Sequence, residues 1–280
     1  MPTRLRIRIP NQRRRRRRRG FTIVELLVVL AVIGLLSALL LPALARSKST
    51  SRLATCLNNI KQLQLAWLSY AHDNDDRLPT NRVERREFDL VAPSGSWVVG
   101  NAKLDPDDTG LRVGQLWPHA GGNAGIYRCP SDNSTVQDRP GMPRNRSYSA
   151  NFWLNSEVKT GTAADQINGD ELNLLRLSQV SAQGASRVFV FIDEEAASID
   201  EGAFMIGNPA FATTPPFWVS FPAERHDGKG TLSYADGHVE AHRWQGSRAK
   251  LTYTTGKLVI PSSDIGGLAD WGWIQDRLPD

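Results

Sequence analysis

The chain has 280 residues, 40% of them hydrophobic, with a formal net charge of +5 and an isoelectric point near 9.4. A basic balance of that kind normally suggests a nucleic-acid partner. Ten of the 34 basic residues fall within the first 20 positions (Arg4, Arg6, Arg8 and the run at 13–19), however, and removing them leaves 24 against 29 acids, a net −5. Nucleic-acid binding is therefore excluded as the reading of the charge, and no nucleic-acid partner is expected.

The basic run ends at Gly20 and gives way at once to Phe21-Thr22-Ile23-Val24-Glu25. Residues 23–45 then form an apolar segment interrupted by a single charge, Glu25. This exceeds the roughly 18 apolar residues that suggest a membrane-spanning helix. A carboxylate in such a segment is costly in hydrocarbon and marks a function. Positive charge beside the helix keeps the N-terminal end cytoplasmic, so the C-terminal domain is expected outside, in a single-pass arrangement at the cytoplasmic (inner) membrane.

The junction Gly20, Phe21, Thr22, Ile23, Val24, Glu25 and the apolar residues after it resemble the signal of prepilins, the precursors of type IV pilins and type II secretion pseudopilins. The resemblance implies cleavage after Gly20 by a prepilin peptidase and methylation of the new amino terminus at Phe21. It also implies pairing of Glu25 with the amino terminus of a neighbouring pilin or pseudopilin subunit. A buried carboxylate is tolerable only when paired, which suits that role. Before assembly the helix would sit in membrane lipid. Pro42 stands where pilin helices often carry a proline, with a kink as the expected effect. Two other leaders compete: Ala43-Leu44-Ala45 offers an A-x-A site, and Arg18-Arg19-Gly20-Phe21 faintly resembles a twin-arginine signal. Neither accounts for Glu25, and the apolar run is long for both.

Beyond the apolar segment, Leu53, Cys56, Leu57, Ile60, Leu63, Trp67 and Tyr70 recur at spacings of three and four, the stripe of an amphipathic helix. The pattern fades at Asp73-Asn74-Asp75-Asp76 and ends before Pro79. The expected organisation is a leader at 1–20, a transmembrane and assembly helix at 21–45, a stem helix at 46–72 and a β-rich outer domain at 73–280. A helix over 22–72 would be about 75 Å long; an anchor followed by a separate amphipathic helix is the alternative.

Within the domain, residues 96–99 are a short candidate strand, residues 187–193 a buried one and residues 217–221 another. Asp236-Gly237 between the runs 231–235 and 238–244 is a hairpin signal. A two-residue turn there pairs Tyr234 with Val239 and Leu232 with Ala241. It would leave His238, Glu240 and His242 on the opposite face with Thr231 and Ser233. The expected class is α+β and pilin-like, with the long N-terminal helix packed on a mostly antiparallel sheet.

His226, nine intervening residues and Asp236-Gly237 resemble the H-x9-DG signature of a prepilin-processing-associated family. Cys56 with Asn58-Asn59, residues 70–75, Cys129-Pro130-Ser131-Asp132, residues 147–151, Asp193-Glu194 and the closing residues 271–278 fit the same pattern. That resemblance implies the architecture and names no ligand.

No metal or other cofactor is expected. Were a metal bound, His226, Asp236, His238 and His242 are the candidates, with Asp227 beside them, because alternate strand positions would set the histidines side by side. Their spacing matches no standard site, and Asp236 reads equally well as a turn cap among surface histidines. The acid clusters at 73–76 and 105–108 lack the regular spacing of a calcium loop. Cys56 and Cys129 admit one disulfide, worth about 4 kcal/mol in the chain-entropy picture; alternatively Cys56 is simply a small apolar member of the helix stripe. Elbow, zinc-protease, P-loop and dinucleotide signatures are missing, and Asp193, Glu194 and Glu195 read better as the acidic end of a strand than as a catalytic pair with His226. The expected function is a structural filament subunit, with a membrane-tethered ligand- or substrate-binding module as the competing class.

Overall fold

The computed structural model describes residues 21–86, 89–159, 173–206, 216–246, 252–254 and 257–279. The leader 1–20, with Gly20, lies outside the described residues. The chain divides into two compact units between Ser47 and Lys48.

Helix α1 (Ile23–Asp73) contributes to both units and continues through Pro42 as one assigned helix. In the second unit Cys56, Ile60, Leu63, Trp67 and Ala71 are buried at spacings of four, three, four and four, with Ala66 and the polar Gln64 buried beside them, so one face of the stem is dry. Leu53, Leu57 and Tyr70 flank that face and are half-buried. The helix ends where the acids begin. Asp75 and Asp76 take φ of 53° and 68°, and the Asp76 amide donates to the Ala71 carbonyl at 2.9 Å, the long bond of a Schellman-type stop.

The described strands are β1 (Asn81–Arg86), β2 (Asp89–Val91), β3 (Tyr148–Asn151), β4 (Ser156–Lys159), β5 (Phe189–Asp193), β6 (Ala203–Phe204), β7 (Phe217–Trp218), β8 (Lys229–Tyr234), β9 (Val239–Arg243), β10 (Thr252–Thr254) and β11 (Lys257–Val259). Two short helices, α2 (Thr109–Arg112) and α3 (Leu177–Ala182), precede the closing helix α4 (Ile265–Gln275). A five-stranded sheet of order β6-β3-β5-β8-β9 is the centre of the unit, with three-stranded sheets β2-β1-β4 and β10-β11-β7 beside it.

These sheets correct three expectations. The sheets built on β1 and β3 are mixed rather than mostly antiparallel, since β1–β4 and β3–β6 run parallel. Residues 96–99 are not a strand: Gly95 and Gly100 take φ of 86° and 95°, and the Trp97 and Val99 amides bond to the Thr80 and Gly110 carbonyls instead of a neighbouring strand. The hairpin register is shifted by one. Ser233 faces Val239 and Leu232 faces Glu240, because the turn has three residues. The Gly237 amide donates to the Tyr234 carbonyl and the Tyr234 amide to the His238 carbonyl. Gly237, at φ 94°, supplies the left-handed residue such a turn requires.

The shift decides which side chains meet. Thr231, Ser233 and Val239 face the stem, where Ser233 Oγ donates to the buried Gln64 Oε1 at 2.8 Å. Leu232 and Tyr234 belong to a second core with Phe189, Ile192 and Ile274 of α4. A bulge between Phe189 and Phe191 turns both Val190 and Phe191 towards the stem core and sets Asp193 on the same side. The sheet is therefore dry on both faces, and its stem-facing side carries Tyr148, Asp193 and Thr231.

Candidate functional site

Two features carry chemistry, one in each unit. The first is the start of α1. Thr22 precedes the helix, and its amide and Oγ1 both donate to Glu25 Oε2 at 2.8 Å, while the Glu25 amide donates to Thr22 Oγ1 at 3.2 Å. This is a capping box: threonine at the cap and glutamate three residues on satisfy each other's exposed backbone donors. The acid expected from sequence to be an assembly group thus also defines where the helix begins.

Sixteen large apolar side chains between Phe21 and Leu44 stand 45–78% exposed. Residues Ile23–Leu41 have a mean hydropathy of 2.8, and none of that stretch is buried. Each such side chain gains roughly 1.5–3 kcal/mol on leaving water, so the surface demands lipid or other helices around it.

The second feature is a buried cluster of chemically reactive groups. Cys56 comes from the stem, Cys129 from the loop after a 3-10 turn (Ala124–Tyr127), Asp193 from the end of β5 and His226 from the turn before β8. One ligand atom from each lies within 4.8 Å of all the others, and the four residues are 0–3% exposed. Cys129 Sγ is 3.1 Å from His226 Nε2. Cys56 Sγ lies 3.0 Å from Tyr148 Oη, 3.2 Å from Thr231 Oγ1 and 3.9 Å from Asp193 Oδ2. Both cysteines are free thiols.

Charged neighbours complete the setting. Arg225, beside His226, bonds Asp193 Oδ1 with one guanidinium nitrogen and lies 3.3 Å from Asp132 Oδ2 with another. Ser147 Oγ donates to Asp132 Oδ2 at 2.5 Å and accepts from the Cys129 amide at 3.1 Å. Burial pushes the Asp193 carboxyl well above its ordinary range, although Arg225 opposes this. Burial also acts to raise the Cys56 thiol, but hydrogen bonds from Cys129, His226, Thr231 and Tyr148 outweigh it and bring the thiol well below its usual value. Cys129, hydrogen-bonded to Cys56 and buried, moves the other way.

Two sulfurs, an imidazole nitrogen and a carboxylate oxygen form a donor set suited to a divalent transition metal. The same groups fit nucleophilic catalysis poorly. Both cysteines are fully buried, out of reach of a substrate, and His226 Nδ1 has no hydrogen-bond partner among the described residues to orient the ring.

The other sequence candidates separate from His226. Asp236 Oδ1 accepts from the His238 amide at 3.0 Å and lies 2.6 Å from His238 Nδ1. Partial burial would raise the Asp236 carboxyl, but these contacts dominate and hold it below its usual value. That is a turn cap. His238 stacks on Tyr234 with ring centres 4.1 Å apart, and His242 stacks on Trp273 at 3.6 Å. His226 is the one member of the expected set that the cluster uses. Sequence reading paired Cys56 only with Cys129 and treated Asp193 as a strand end. Cys56 and Asp193 are 137 positions apart, and nothing in local spacing joins them.

The prokaryotic N-terminal methylation motif matches residues 15–41. The chain carries a prepilin-type signal. No curated protein and no solved structure matches the chain. The motif supports a prepilin-like protein and points to a structural, pilin-type role rather than an enzyme. Together with the exposed apolar helix it fits a single-pass membrane anchor.

Proposed function

We propose that this chain is a pilin-like or pseudopilin subunit. A prepilin peptidase cuts after Gly20, Phe21 becomes the methylated amino terminus, and the subunit waits in the cytoplasmic membrane with Lys48–Asp280 on the outer side. Its α1 helix then joins other subunits in a pilus-like filament or a type II secretion pseudopilus. The observation that carries this reading is the unpartnered apolar helix starting at a capped glutamate, directly within the matched motif.

The Thr22–Glu25 pair gives the mechanism a concrete form. Thr22 lies downstream of the cut, so its amide and hydroxyl remain available to Glu25 after processing. The carboxylate is therefore partly satisfied in the membrane, and a neighbour's amino terminus supplies the charge that finishes the pairing on assembly. Glu25→Ala tests this. Membrane insertion should survive, because the apolar run is untouched, while cross-linked or sedimentable filament should be lost. A tethered binding module would behave identically with and without Glu25.

A further inference from the structure

We propose that Cys56, Cys129, Asp193 and His226 hold a structural zinc ion. The geometry is close to that of a metal site before any adjustment. Metal–ligand bonds of about 2.0–2.3 Å place the donors of a tetrahedral site roughly 3.3–3.8 Å apart. Here the four donor atoms lie within 4.8 Å of one another, with the Cys129–His226 pair at 3.1 Å. Small side-chain movements close the set. Two thiolates with imidazole and carboxylate suit zinc better than the all-oxygen cations.

The surroundings also favour a metal over a Cys56–Cys129 disulfide. Tyr148 and Thr231 aim hydroxyls at Cys56 Sγ, and hydroxyls stabilise a thiolate far better than a disulfide sulfur. Asp193 has one oxygen engaged by Arg225 and the other turned to the cysteine, the outer-sphere anchoring that orients ligating carboxylates. A disulfide would use neither Asp193 nor His226.

Charge balances as well. Binding breaks two S–H bonds, forms two metal–sulfur bonds and releases both protons to solvent. The +2 of the ion replaces the two protons, so the net charge of the pocket with Asp193, Asp132 and Arg225 is unchanged. A surface cleft of about 630 Å³ lined by Asn59, Arg128, Cys129 and Asp132 gives the ion a way in. Once bound, it joins the stem helix to β5 and to the turn before β8. The site does not depend on the filament reading.

The test uses the full chain, extracted in detergent and purified without chelator, with metal measured by mass spectrometry. Stoichiometric zinc is expected. After reduction and exchange, cobalt should give visible d–d bands and a near-ultraviolet thiolate charge-transfer band. Cys129→Ser and His226→Ala should lose the metal, while Asp236→Asn and His242→Ala keep it. If those cysteine and histidine variants fail to fold, the cobalt spectrum of the unaltered chain decides. A metal-free chain whose cysteines alkylate only after reduction overturns the proposal in favour of the disulfide. A reduced chain that shows no charge-transfer band with cobalt overturns it outright.

Discussion

Replacing Glu194 by Gln should make the protein more stable at neutral pH and leave it nearly unchanged in acid. Glu194 follows β5 directly, is 1% exposed, and neither carboxylate oxygen has a well-formed hydrogen bond among the described residues. Burial raises its pKa from 4.5 to about 7, and the hydroxyls of Ser149, Ser198 and Ser220 offset this only in part. A raised folded-state value means the folded protein holds a proton that the unfolded chain releases between about pH 4.5 and 7. The neutral carboxyl thus favours folding below pH 4.5, and that advantage is lost as pH rises through 7. A separation of 2.5 between those two values corresponds to about 3 kcal/mol at 1.36 kcal/mol per unit. The assay is denaturant unfolding of the full chain in detergent from pH 4 to 8, followed by tryptophan fluorescence. The variant should gain up to about 3 kcal/mol over the original as pH rises through the window. A difference between the two that does not change with pH would refute the burial argument.

Thr22→Val removes both hydroxyl bonds of the capping box; loss of the cap costs about 1 kcal/mol, so the Glu25 amide should exchange with solvent roughly fivefold faster in micelles, read by NMR. Ile60→Ala empties a fully buried stem position and should cost about 2–5 kcal/mol, whereas Leu65→Ala, half exposed on the same helix, should cost far less; equal losses by denaturant titration would contradict the dry stem face. Gly237→Val places a β-branched residue at φ 94° and should lower the unfolding midpoint, while Asp236→Asn, which keeps an acceptor for the His238 amide, should be mild.

What sequence could show was what repeats locally. The three-and-four spacing of Cys56, Ile60, Leu63 and Trp67 announces the stem because a helix face is a local property, and Thr22-x-x-Glu25 before an apolar run is itself a capping signal. Residues 187–193 read as a strand for the same reason. Asp236-Gly237 marks the hairpin, yet the dipeptide does not say whether Ala235 also belongs to the turn, and that one residue moved Leu232 from opposite Ala241 to opposite Glu240. The parallel pairs β1–β4 and β3–β6 join segments that no spacing links. The buried cluster was hidden for the same cause: its four members come from a helix, a loop, a strand end and a turn, and only the closed fold brings their side chains together. His226 stood out in sequence beside His238 and His242, but the fold takes those two into aromatic stacks and gives His226 cysteines instead.

The mass of the mature amino-terminal peptide, taken from membrane-extracted protein, bears most directly on the filament reading. A chain beginning at N-methylated Phe21 is expected, with Thr22 and Glu25 intact behind it. A chain beginning at Arg46, after Ala43-Leu44-Ala45, would lack the apolar helix and its glutamate, and would contradict a pilin-like subunit.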